Sequence, residues 1–478
     1  MSGYNRPRRT ALRRPPVTAL LAALLATAIP ASAEAQVENC LTADPPQIRE
    51  AEQPLRFGIT PLAAGNVGSG QLEAKPEDPE AAIAALGALR PPGKQLVMRL
   101  NRMFWSDGVA GIRRYARIVD RYAGVGLDSE LQVRYHPPEG AEGEMAAWTT
   151  YVRKATRILG RRPSVRALSI TNEANFKISS NTSDGSYAGV REAVVRGIVA
   201  ADRELRRIGR RDIELGFSFA WRFTADSDRS FWEEIGSRAT PEFRRALDYV
   251  GLQVYPGLVW PPTLASGRTA GDEIAEAVTL LRFCYMPKAD LGRRVDVWVS
   301  ENGYATNLGR NEASQLASIK ATIAAVSAHS GELGISDYRW FNLRDNSSSG
   351  PDLFDAVGLL RDDYTRKPAF AAYRQAIATA GTPAETRRSC QGAPATLIGT
   401  PGRDSLRGTR GDDVIRGRGR SDRVQGRGGD DLICGGPGND RIDGGAGRDE
   451  IHGQGGGRDR CAPGPSGGGD QIHGCERP

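Results

Sequence analysis

Between Arg56 and Ala380, short aliphatic runs alternate with longer stretches whose apolar residues recur at helical spacing. The aliphatic runs predict eight strands: Leu55–Thr60, Gln95–Leu100, Leu131–Tyr135, Val165–Thr171, Ile213–Phe219, Tyr249–Val254, Val295–Ser300 and Ile335–Phe341. The amphipathic stretches predict helices that include Pro79–Leu89, Gly111–Tyr122, Ala146–Leu159, Gly189–Ile208 and Glu312–His329. This alternation predicts an α/β fold, a (β/α)8 TIM barrel. A doubly wound open sheet is the alternative, although no glycine-rich phosphate-binding turn follows the first run.

From Gly399 onward the sequence repeats with a period of nine residues. In six consecutive units the first position is glycine, the eighth is aliphatic, and the sixth is aspartate: Asp404, Asp413, Asp422, Asp431, Asp440 and Asp449. Glycine permits tight turns with positive φ, and aspartate offers hard oxygen ligands to Ca²⁺. Stacked turns of this kind bury a ladder of aliphatic side chains. The repeat therefore predicts a small parallel β-roll that binds calcium, with a disordered glycine-rich spacer as the alternative.

The repeated stretch, residues 399–461, resembles the RTX (haemolysin-type) calcium-binding nonapeptide, G-G-x-G-x-D-x-U-x. This resemblance implies two nonapeptides per turn of the roll and structural Ca²⁺ bound between turns. Only Gly435–Asp443 and Gly444–His452 carry the full pattern, because earlier units have Thr or Arg at the second position. After His452 the register slips by one residue, and Asp459 takes the position of the ligand. Calcium occupancy of the earlier units is left open by these departures.

The ends of the predicted strands carry polar and aromatic side chains, including two glutamates. Glu173 follows the fourth run and Glu301 follows the seventh. The carboxyl ends of barrel strands surround one mouth, so both glutamates are expected to face it. Such a pair can hydrolyse a glycosidic bond: one carboxyl protonates the leaving oxygen while the other attacks or activates water. A narrow barrel favours a distance of about 5 Å between the two carboxyls, which is typical of retaining enzymes. Alternatively, each glutamate caps a helix or pairs with an arginine.

Two segments at these strand ends resemble the signatures of clan A (4/7) retaining glycoside hydrolases. They are Ser169-Ile170-Thr171-Asn172-Glu173 and Trp298-Val299-Ser300-Glu301-Asn302-Gly303, and the resemblance extends over residues 55–380. It implies that Glu173 is the acid/base and Glu301 the nucleophile. No cofactor is implied for catalysis. A non-catalytic barrel that binds carbohydrate or serves in adhesion, again with a calcium-binding tail, is the alternative function.

The same resemblance implies supporting roles for residues around the pair. Asn172 would bond the sugar 2-hydroxyl, Tyr255 would donate to the nucleophile, and Arg99 would keep it ionised. Trp340 would stack on the sugar ring, and His136 would bind substrate. Two alternatives stay open: Arg102 could take the role of Arg99, and His136 could simply order its loop. Gln253 departs from the family pattern, since several families have His at that place.

The formal net charge of +7 is concentrated at the N-terminus. Five arginines fall in the first fourteen residues, and an apolar stretch, Val17–Ile29, follows them before a small-residue ending. This pattern predicts a secretory signal peptide over residues 1–35, a buried N-terminal helix being the alternative. Removal of its five arginines leaves a charge of only +2, so nucleic-acid binding loses its support. No later apolar run reaches the roughly 20 residues of a membrane span.

An exported chain with six cysteines is expected to form disulfides, at least one of them among Cys434, Cys461 and Cys475. Zinc is not expected, because there is no C-x-x-C pair and the four histidines are scattered along the chain. The expected domains are the signal peptide (1–35), the barrel (36–380), a linker (381–396) and the roll (397–478). The sequence thus predicts a secreted or surface-attached retaining glycosidase acting on a polysaccharide or glycoconjugate, with calcium and carbohydrate as its partners.

Overall fold

The computed structural model describes residues 54–61, 76–177, 182–221, 225–292, 294–380, 389–391, 393–399, 403–454, 458–464 and 469–475. The predicted signal peptide lies outside these ranges. The described residues form a closed barrel with its helical layer, followed by a stack of short strands that packs against that layer.

Eight parallel strands close the barrel in sequential order. They are β1 (Arg56–Ile59), β2 (Val97–Phe104), β3 (Asp128–Arg134), β4 (Val165–Ile170), β5 (Glu214–Ala220), β6 (Tyr249–Gln253), β7 (Asp296–Asn302) and β8 (Ile335–Trp340). Because β8 pairs with β1 in register, for example Tyr338 with Phe57, the sheet has no free edge. The predicted (β/α)8 barrel is confirmed, and the open doubly wound sheet is excluded.

The outer layer consists of helices that connect these strands. They are α1 (Pro79–Leu89), α2 (Gly108–Ala123), α3 (Met145–Leu159), α4 (Val190–Ile208), α5 (Ala225–Arg238), α6 (Pro241–Ala246), α7 (Ala270–Leu280), α8 (Glu312–Leu333) and α9 (Pro368–Thr379). Asp78 caps α1, its Oδ1 accepting from the amides of Glu80 and Ala81, each at 3.0 Å. A membrane-crossing helix, which must be long and apolar throughout, does not occur in the described ranges.

The tail forms the predicted parallel roll, built from two facing sheets. The strands that follow the barrel are β9 (Ser389–Cys390), β10 (Ala393–Pro394), β11 (Leu397–Ile398), β12 (Ser405–Arg407), β13 (Val414–Arg416), β14 (Arg423–Gly428), β15 (Leu432–Cys434), β16 (Arg441–Ala446), β17 (Glu450–His452), β18 (Arg460–Ala462) and β19 (Gln471–His473). Strands β11 to β19 form the roll, and β9 and β10 form a separate antiparallel pair. One sheet has the order β11-β13-β15-β17-β19 and the other β12-β14-β16-β18. Val424 pairs with Ile442, eighteen residues on, so each coil contains two nonapeptides.

The eighth residue of each repeat fills the interior of the roll. The side chains of Ile415, Val424, Ile433, Ile442 and Ile451 are at most 1% exposed and form one apolar cluster. Cys461 continues this ladder in the next unit and is bonded to Cys475, which confirms a disulfide among the tail cysteines. At the other end, β9 and β10 pair within the expected linker, and a second disulfide joins Cys390 to Cys434.

The roll is docked on α8 through a buried arginine. Arg416 of β13 is fully buried and donates from its Nη2 to the backbone carbonyl of Ala328 and to Glu332 Oε1, the latter at 3.4 Å. Arg418 Nε lies 3.5 Å from the same oxygen. Burial alone would raise the pKa of Glu332, but the neighbouring Arg416, His329 and Arg418 lower it to about 2. The two bodies are therefore joined by a desolvated ion-pair cluster.

Replacing Arg416 by Met should lower the free energy of unfolding by about 3–5 kcal/mol, because the Glu332 carboxylate would stay buried with fewer cations around it. The measurement is a urea titration of the full chain in saturating calcium, followed by circular dichroism. Arg407→Met is the matched control: Arg407 holds the same ninth repeat position on an exposed strand, so its loss should change stability by about 0.5 kcal/mol or less. Equal changes in both variants would contradict the docking role.

Candidate active site and calcium-binding repeats

The two glutamates predicted from the sequence both lie at the carboxyl end of the barrel. Glu301 is the penultimate residue of β7, and Glu173 follows β4 by three residues. The turn that carries Glu173 is strained, since Thr171 and Glu173 adopt φ values of 71° and 46°. The Glu173 amide donates to Ser218 Oγ at 3.0 Å, which fixes this turn against β5. Strained backbone held by its neighbours is typical of functional sites.

Both oxygens of the Glu301 carboxylate face hydrogen-bond donors. Arg99 Nη1 donates to Oε1, and Tyr255 Oη donates to Oε2 at 2.7 Å. Burial and the charge of Glu301 raise the pKa of Tyr255 well above its usual value, so the phenol keeps its proton and remains a donor. This environment suits an ionised carboxylate.

Glu173 has the opposite environment. Burial, together with the negative charge of Glu301, raises the pKa of Glu173 well above its usual value, despite the opposing effects of Arg134 and Arg99. Two neighbouring carboxyls thus differ in their surroundings: Glu173 favours its protonated form, and Glu301 accepts hydrogen bonds from Arg99 and Tyr255. This division is the one expected of an acid/base beside a nucleophile.

The two arginines that the sequence left as alternatives occupy different places. Arg99 contacts Glu301, whereas the Arg102 guanidinium lies over the Phe104 ring, 6.0 Å from its centroid. Burial would lower the pKa of Arg99, but the charges of Glu301 and Glu130 raise it above its usual value. The permanent cation beside the Glu301 carboxylate is therefore Arg99.

Arg99 belongs to a chain of alternating charges that runs through the barrel interior. Its Nε lies 3.5 Å from Glu130 Oε1, and Glu130 Oε2 accepts from Arg339 at 3.1 Å. Arg339 and Arg56 each donate to Asp337 at 2.6 Å, and Arg56 also donates to Glu214 at 2.7 Å. The complete order is Glu301, Arg99, Glu130, Arg339, Asp337, Arg56 and Glu214. Sequence reasoning missed these interior partners, although ionisable residues at alternate positions within the strands are a signal for them.

Asn172 is oriented by a network that includes the unexpected Gln253. The Asn172 Oδ1 accepts from Gln253 Nε2 at 2.7 Å and from Ser218 Oγ at 3.2 Å, while its Nδ2 donates to the carbonyl of Thr182 at 2.6 Å. The departure from histidine at position 253 therefore places an amide donor directly on Asn172. The amide of Asn172 is held beside Glu173 in a single orientation.

His136 lies half-buried after β3, at the carboxyl end of the barrel. Its Nδ1 is 3.1 Å from Ser106 Oγ, and its ring centroid is 5.3 Å from that of Tyr187. A cavity of about 340 Å³ adjoins Tyr187 and is lined by charged side chains, among them Arg191, Glu192, Glu234 and Arg238. The place is compatible with the predicted binding role, and the contact to Ser106 also orders the loop.

Trp340 does not lie where stacking on a sugar requires it. The side chain is fully buried in the main core, and its Nε1 donates to the carbonyl of Val357 at 3.2 Å. The expected role is corrected for this reason: strand alternation turns Trp340 away from the barrel mouth. The next residue, Phe341, packs edge-on against Tyr255 with 6.3 Å between ring centroids, and Phe354 completes the cluster. Phe341 is thus the aromatic side chain next to Tyr255, which donates a hydrogen bond to Glu301.

In the roll, the aspartates of successive coils form a ladder of hydrogen bonds. One carboxylate oxygen of each aspartate accepts from the backbone amide of the aspartate in the preceding coil. Asp422 N donates to Asp440 Oδ1 at 2.8 Å, and Asp431 N donates to Asp449 Oδ1 at 3.0 Å. The second oxygens are buried without a hydrogen-bond partner among the described residues; they belong to Asp422, Asp431, Asp440, Asp449, Asp459 and Asp470. Buried unpaired carboxylate oxygens are costly unless they coordinate a cation, and hard oxygen ligands suit Ca²⁺. The residues present therefore fit calcium.

This ladder sharpens the predicted set of ligands. Asp459 follows Asp440 with its Oδ1 accepting at 2.7 Å, and Asp470 does the same for Asp449 at 2.9 Å, so the ladder continues past the slip in register. Asp470 was missed because it lies twenty-one residues from Asp449 instead of eighteen. Burial raises the pKa of Asp431 to about 6, which shows how strongly the protein alone disfavours its charge.

Asp413 differs from Asp422, Asp431, Asp440 and Asp449 among the predicted ligands. Its Oδ2 accepts from the Thr409 amide at 2.6 Å and from Thr409 Oγ1 at 2.9 Å. Thr409 holds the second repeat position, where Gly436 and Gly445 adopt a φ of 103°. The arginines at this position in later units, Arg418 and Arg427, do adopt positive φ and leave their aspartates unpartnered. At the second repeat position, threonine in place of glycine therefore occupies the carboxylate of its aspartate, whereas arginine leaves that carboxylate available to calcium.

Comparison with known proteins supports both parts of this description. Residues 398–433 and 416–451 match the family model of the RTX calcium-binding nonapeptide repeat (4 copies). The tail is an RTX repeat region. No curated protein matches the chain.

Among solved structures, the chain is similar to a GH5_18 protein from Streptomyces cattleya in complex with GlcNAc, with 16% identity, a TM-score of 0.50, and coverage of 74% of this chain and 86% of that chain. A GH5_18 protein from Bifidobacterium longum subsp. infantis gives 16% identity, a TM-score of 0.51, and coverage of 74% and 83%. At this identity the likeness shows a shared fold, the barrel that the clan A resemblance implied.

Replacing Glu173 by Gln should stabilise the protein at alkaline pH. A carboxyl whose pKa is raised on folding costs stability as the pH rises above its unfolded value of about 4.3. The melting temperature of Glu173→Gln should therefore equal that of the wild type near about pH 4 and exceed it near about pH 8.

Glu204→Gln is the control of opposite sign, because hydrogen bonds from Arg207 and Arg157 lower the pKa of Glu204 to about 2. Its melting temperature should fall relative to the wild type near about pH 8. A Glu173→Gln protein that is no more stable than the wild type at that pH would show that the carboxyl is not held in its neutral form.

Asp431→Asn and Asp413→Asn should differ in calcium binding. The two residues occupy the same column of the roll, one coil apart, but only Asp431 has an unpartnered Oδ2. Isothermal titration of the full chain should show fewer bound Ca²⁺ ions for Asp431→Asn and an unchanged number for Asp413→Asn. If both variants bound fewer Ca²⁺ ions by the same number, the Asp413 carboxylate would have to leave Thr409 and coordinate the metal.

Proposed function

We propose that the chain is a secreted, retaining glycosidase that hydrolyses O-glycosidic bonds of a polysaccharide or glycoconjugate. The observation that carries the proposal is the contrast between two adjacent carboxyls: a half-buried Glu173 that favours its protonated form, and a Glu301 that receives hydrogen bonds from Arg99 and Tyr255. The shared barrel fold with GH5_18 proteins supports it.

In the proposed first step, a Glu301 oxygen attacks the anomeric carbon while Glu173 gives its proton to the glycosidic oxygen. The carbon–oxygen bond to the leaving group breaks, and a covalent glycosyl–Glu301 ester forms. Glu173, now ionised, then takes a proton from water as that water attacks the anomeric carbon and releases Glu301. Arg99 and Tyr255 stabilise the carboxylate before attack and after release.

The region beside the mouth favours a polar, hydroxylated ligand. The cavity next to Tyr187 is lined by both arginines and glutamates, which can bond hydroxyl groups as donors and acceptors. Asn172 lies next to Glu173, where its amide would contact the sugar 2-hydroxyl, and Phe341 supplies the aromatic surface beside Tyr255. The GlcNAc bound by the Streptomyces cattleya protein makes GlcNAc-containing glycans a sensible part of the first substrate panel.

RTX repeats and disulfide bonds support an extracellular location for the protein. Cys390–Cys434 and Cys461–Cys475 suit an oxidising environment, and Cys284 is also disulfide-bonded. In the proposed role, calcium stabilises the roll by binding the folded form only. The roll then supports the barrel through α8, on which it is docked.

Hydrolysis of aryl glycosides and of a glycan panel tests the proposal. Glu301→Ala should abolish turnover, and Glu173→Ala should reduce it by about 10²–10⁴-fold through loss of acid/base catalysis. Glu242→Gln, which alters a partly exposed glutamate paired with Arg203 on the helical layer, is the control and should retain full activity. Proton NMR of the first product should show retention of the anomeric configuration.

Unchanged turnover by Glu301→Ala on a substrate of the wild type would refute the assignment of the nucleophile. Glycan binding by the wild type without turnover on any member of the panel would instead establish a carbohydrate-binding barrel.

A further inference from the structure

Two of the four histidines in the chain lie side by side at the C-terminal end of the roll. His452 of β17 is in direct register with His473 of β19. Their ring centroids are 4.7 Å apart, and the ring planes differ by 18°. These histidines are twenty-one residues apart in the sequence, and at this end of the roll one coil contains twenty-one residues instead of eighteen. Scattered histidines argued against zinc at the level of sequence, and the coil brings two of them together.

A carboxylate completes the group. Glu450 lies two residues before His452, so strand alternation places both side chains on the outer surface of the same sheet. Its Oε1 is 2.8 Å from His452 Nε2. One ligand atom from each of Glu450, His452 and His473 lies within 4.8 Å of the others. Ligand atoms around tetrahedral zinc stand about 3.4 Å apart, given bonds of about 2.05 Å. Side-chain rotations of these partly exposed residues can close that difference.

We propose that Glu450, His452 and His473 form a transition-metal site that binds Zn²⁺, with water as the fourth ligand. Imidazole nitrogen is a preferred ligand of zinc, copper and nickel, whereas calcium prefers oxygen alone. The donor set therefore separates this site from the calcium ladder of the same roll, whose ligands are aspartates. The site stands independently of the proposed glycosidase activity.

The position of the site suggests what bound zinc does. Among the described strands, β19 is the edge strand of its sheet and pairs with β17 alone. The coil that ends in β19 is also held by the Cys461–Cys475 disulfide, and it abuts the barrel: a Cβ on Gly474 would lie 3.0 Å from Asp272 Oδ1 at the start of α7. Stacked repeats need a cap at each end. Zinc bound between β17 and β19 would tie down the last coil at this seam.

The test uses the full chain with any affinity tag removed and the repeats saturated with calcium. Isothermal titration with Zn²⁺ should show one ion per chain, and Co²⁺ should give the visible absorption of a tetrahedral site that Zn²⁺ abolishes. Excess Ca²⁺ should not compete. Bound zinc should also slow hydrogen exchange of the β19 amides and raise the melting temperature of the roll.

Three variants locate the site. His473→Ala and Glu450→Gln should each weaken zinc binding by at least the roughly 10–100-fold that loss of an outer-shell partner costs. His136→Ala is the matched control, because it removes a partly exposed histidine from the barrel and should bind zinc as the wild type does. Circular dichroism in the presence of calcium verifies that the roll of each variant is folded. If His473→Ala does not fold, Glu450→Gln provides the test, because the Glu450 side chain is exposed.

Absence of zinc binding to the wild type would overturn the proposal. The proposal would also be overturned if His473→Ala and Glu450→Gln both bound zinc as the wild type does. Loss of zinc binding in His136→Ala, or displacement of zinc by calcium, would overturn it as well. In the first of these outcomes the histidine pair would be a stacked contact of the last coil and nothing more.

Discussion

The barrel depends on a line of ionic contacts that crosses its interior from the mouth to the opposite end. Arg99 cannot be buried alone, since an unpaired charge inside a protein costs several kcal/mol. It is offset by Glu301 on one side and Glu130 on the other, and Glu130 in turn requires Arg339. Each charge is tolerated because its neighbours have the opposite sign. The Glu301 carboxylate at the mouth is therefore positioned by a series of side chains that extends to the opposite end of the barrel.

This dependence explains why the two glutamates differ. Glu301 lies at the end of the charge chain and receives its cation. Glu173 is half-buried and lies outside that chain, so desolvation and the charge of Glu301 raise its pKa despite the opposing charges of Arg134 and Arg99. A cation bonded directly to one of two neighbouring carboxyls gives the two groups different surroundings.

The sequence was sufficient for the repetitive features of the molecule and insufficient for those created by contact between its parts. All eight strands and five of the helices could be predicted because one face of each element is buried and its periodicity shows. α7 was not predicted, since most of its side chains are buried and its polar stripe is reduced to Glu273 and Glu276. Its outer face meets the roll near Gly474, a contact that no local pattern encodes.

The same distinction holds for the sites. Glu173 and Glu301 were predictable from strand ends, because barrel topology brings all such ends together. Glu130 was not, since its importance lies in contacts with Arg99 and Arg339, which come from distant strands. The stacking role of Trp340 came from the family resemblance, whereas alternation along β8 turns this side chain into the core.

The threonine at position 409 gives the roll a built-in starting point. Its hydroxyl and amide satisfy the Asp413 carboxylate, so this turn closes on hydrogen bonds alone. It immediately precedes β13, whose Arg416 is anchored on α8, and the adjacent strand β15 is covalently tied through Cys434. A turn that closes without any ion is a template on which later turns can stack. Calcium then has only to extend an ordered lattice, which avoids the entropy of nucleating one from a free chain.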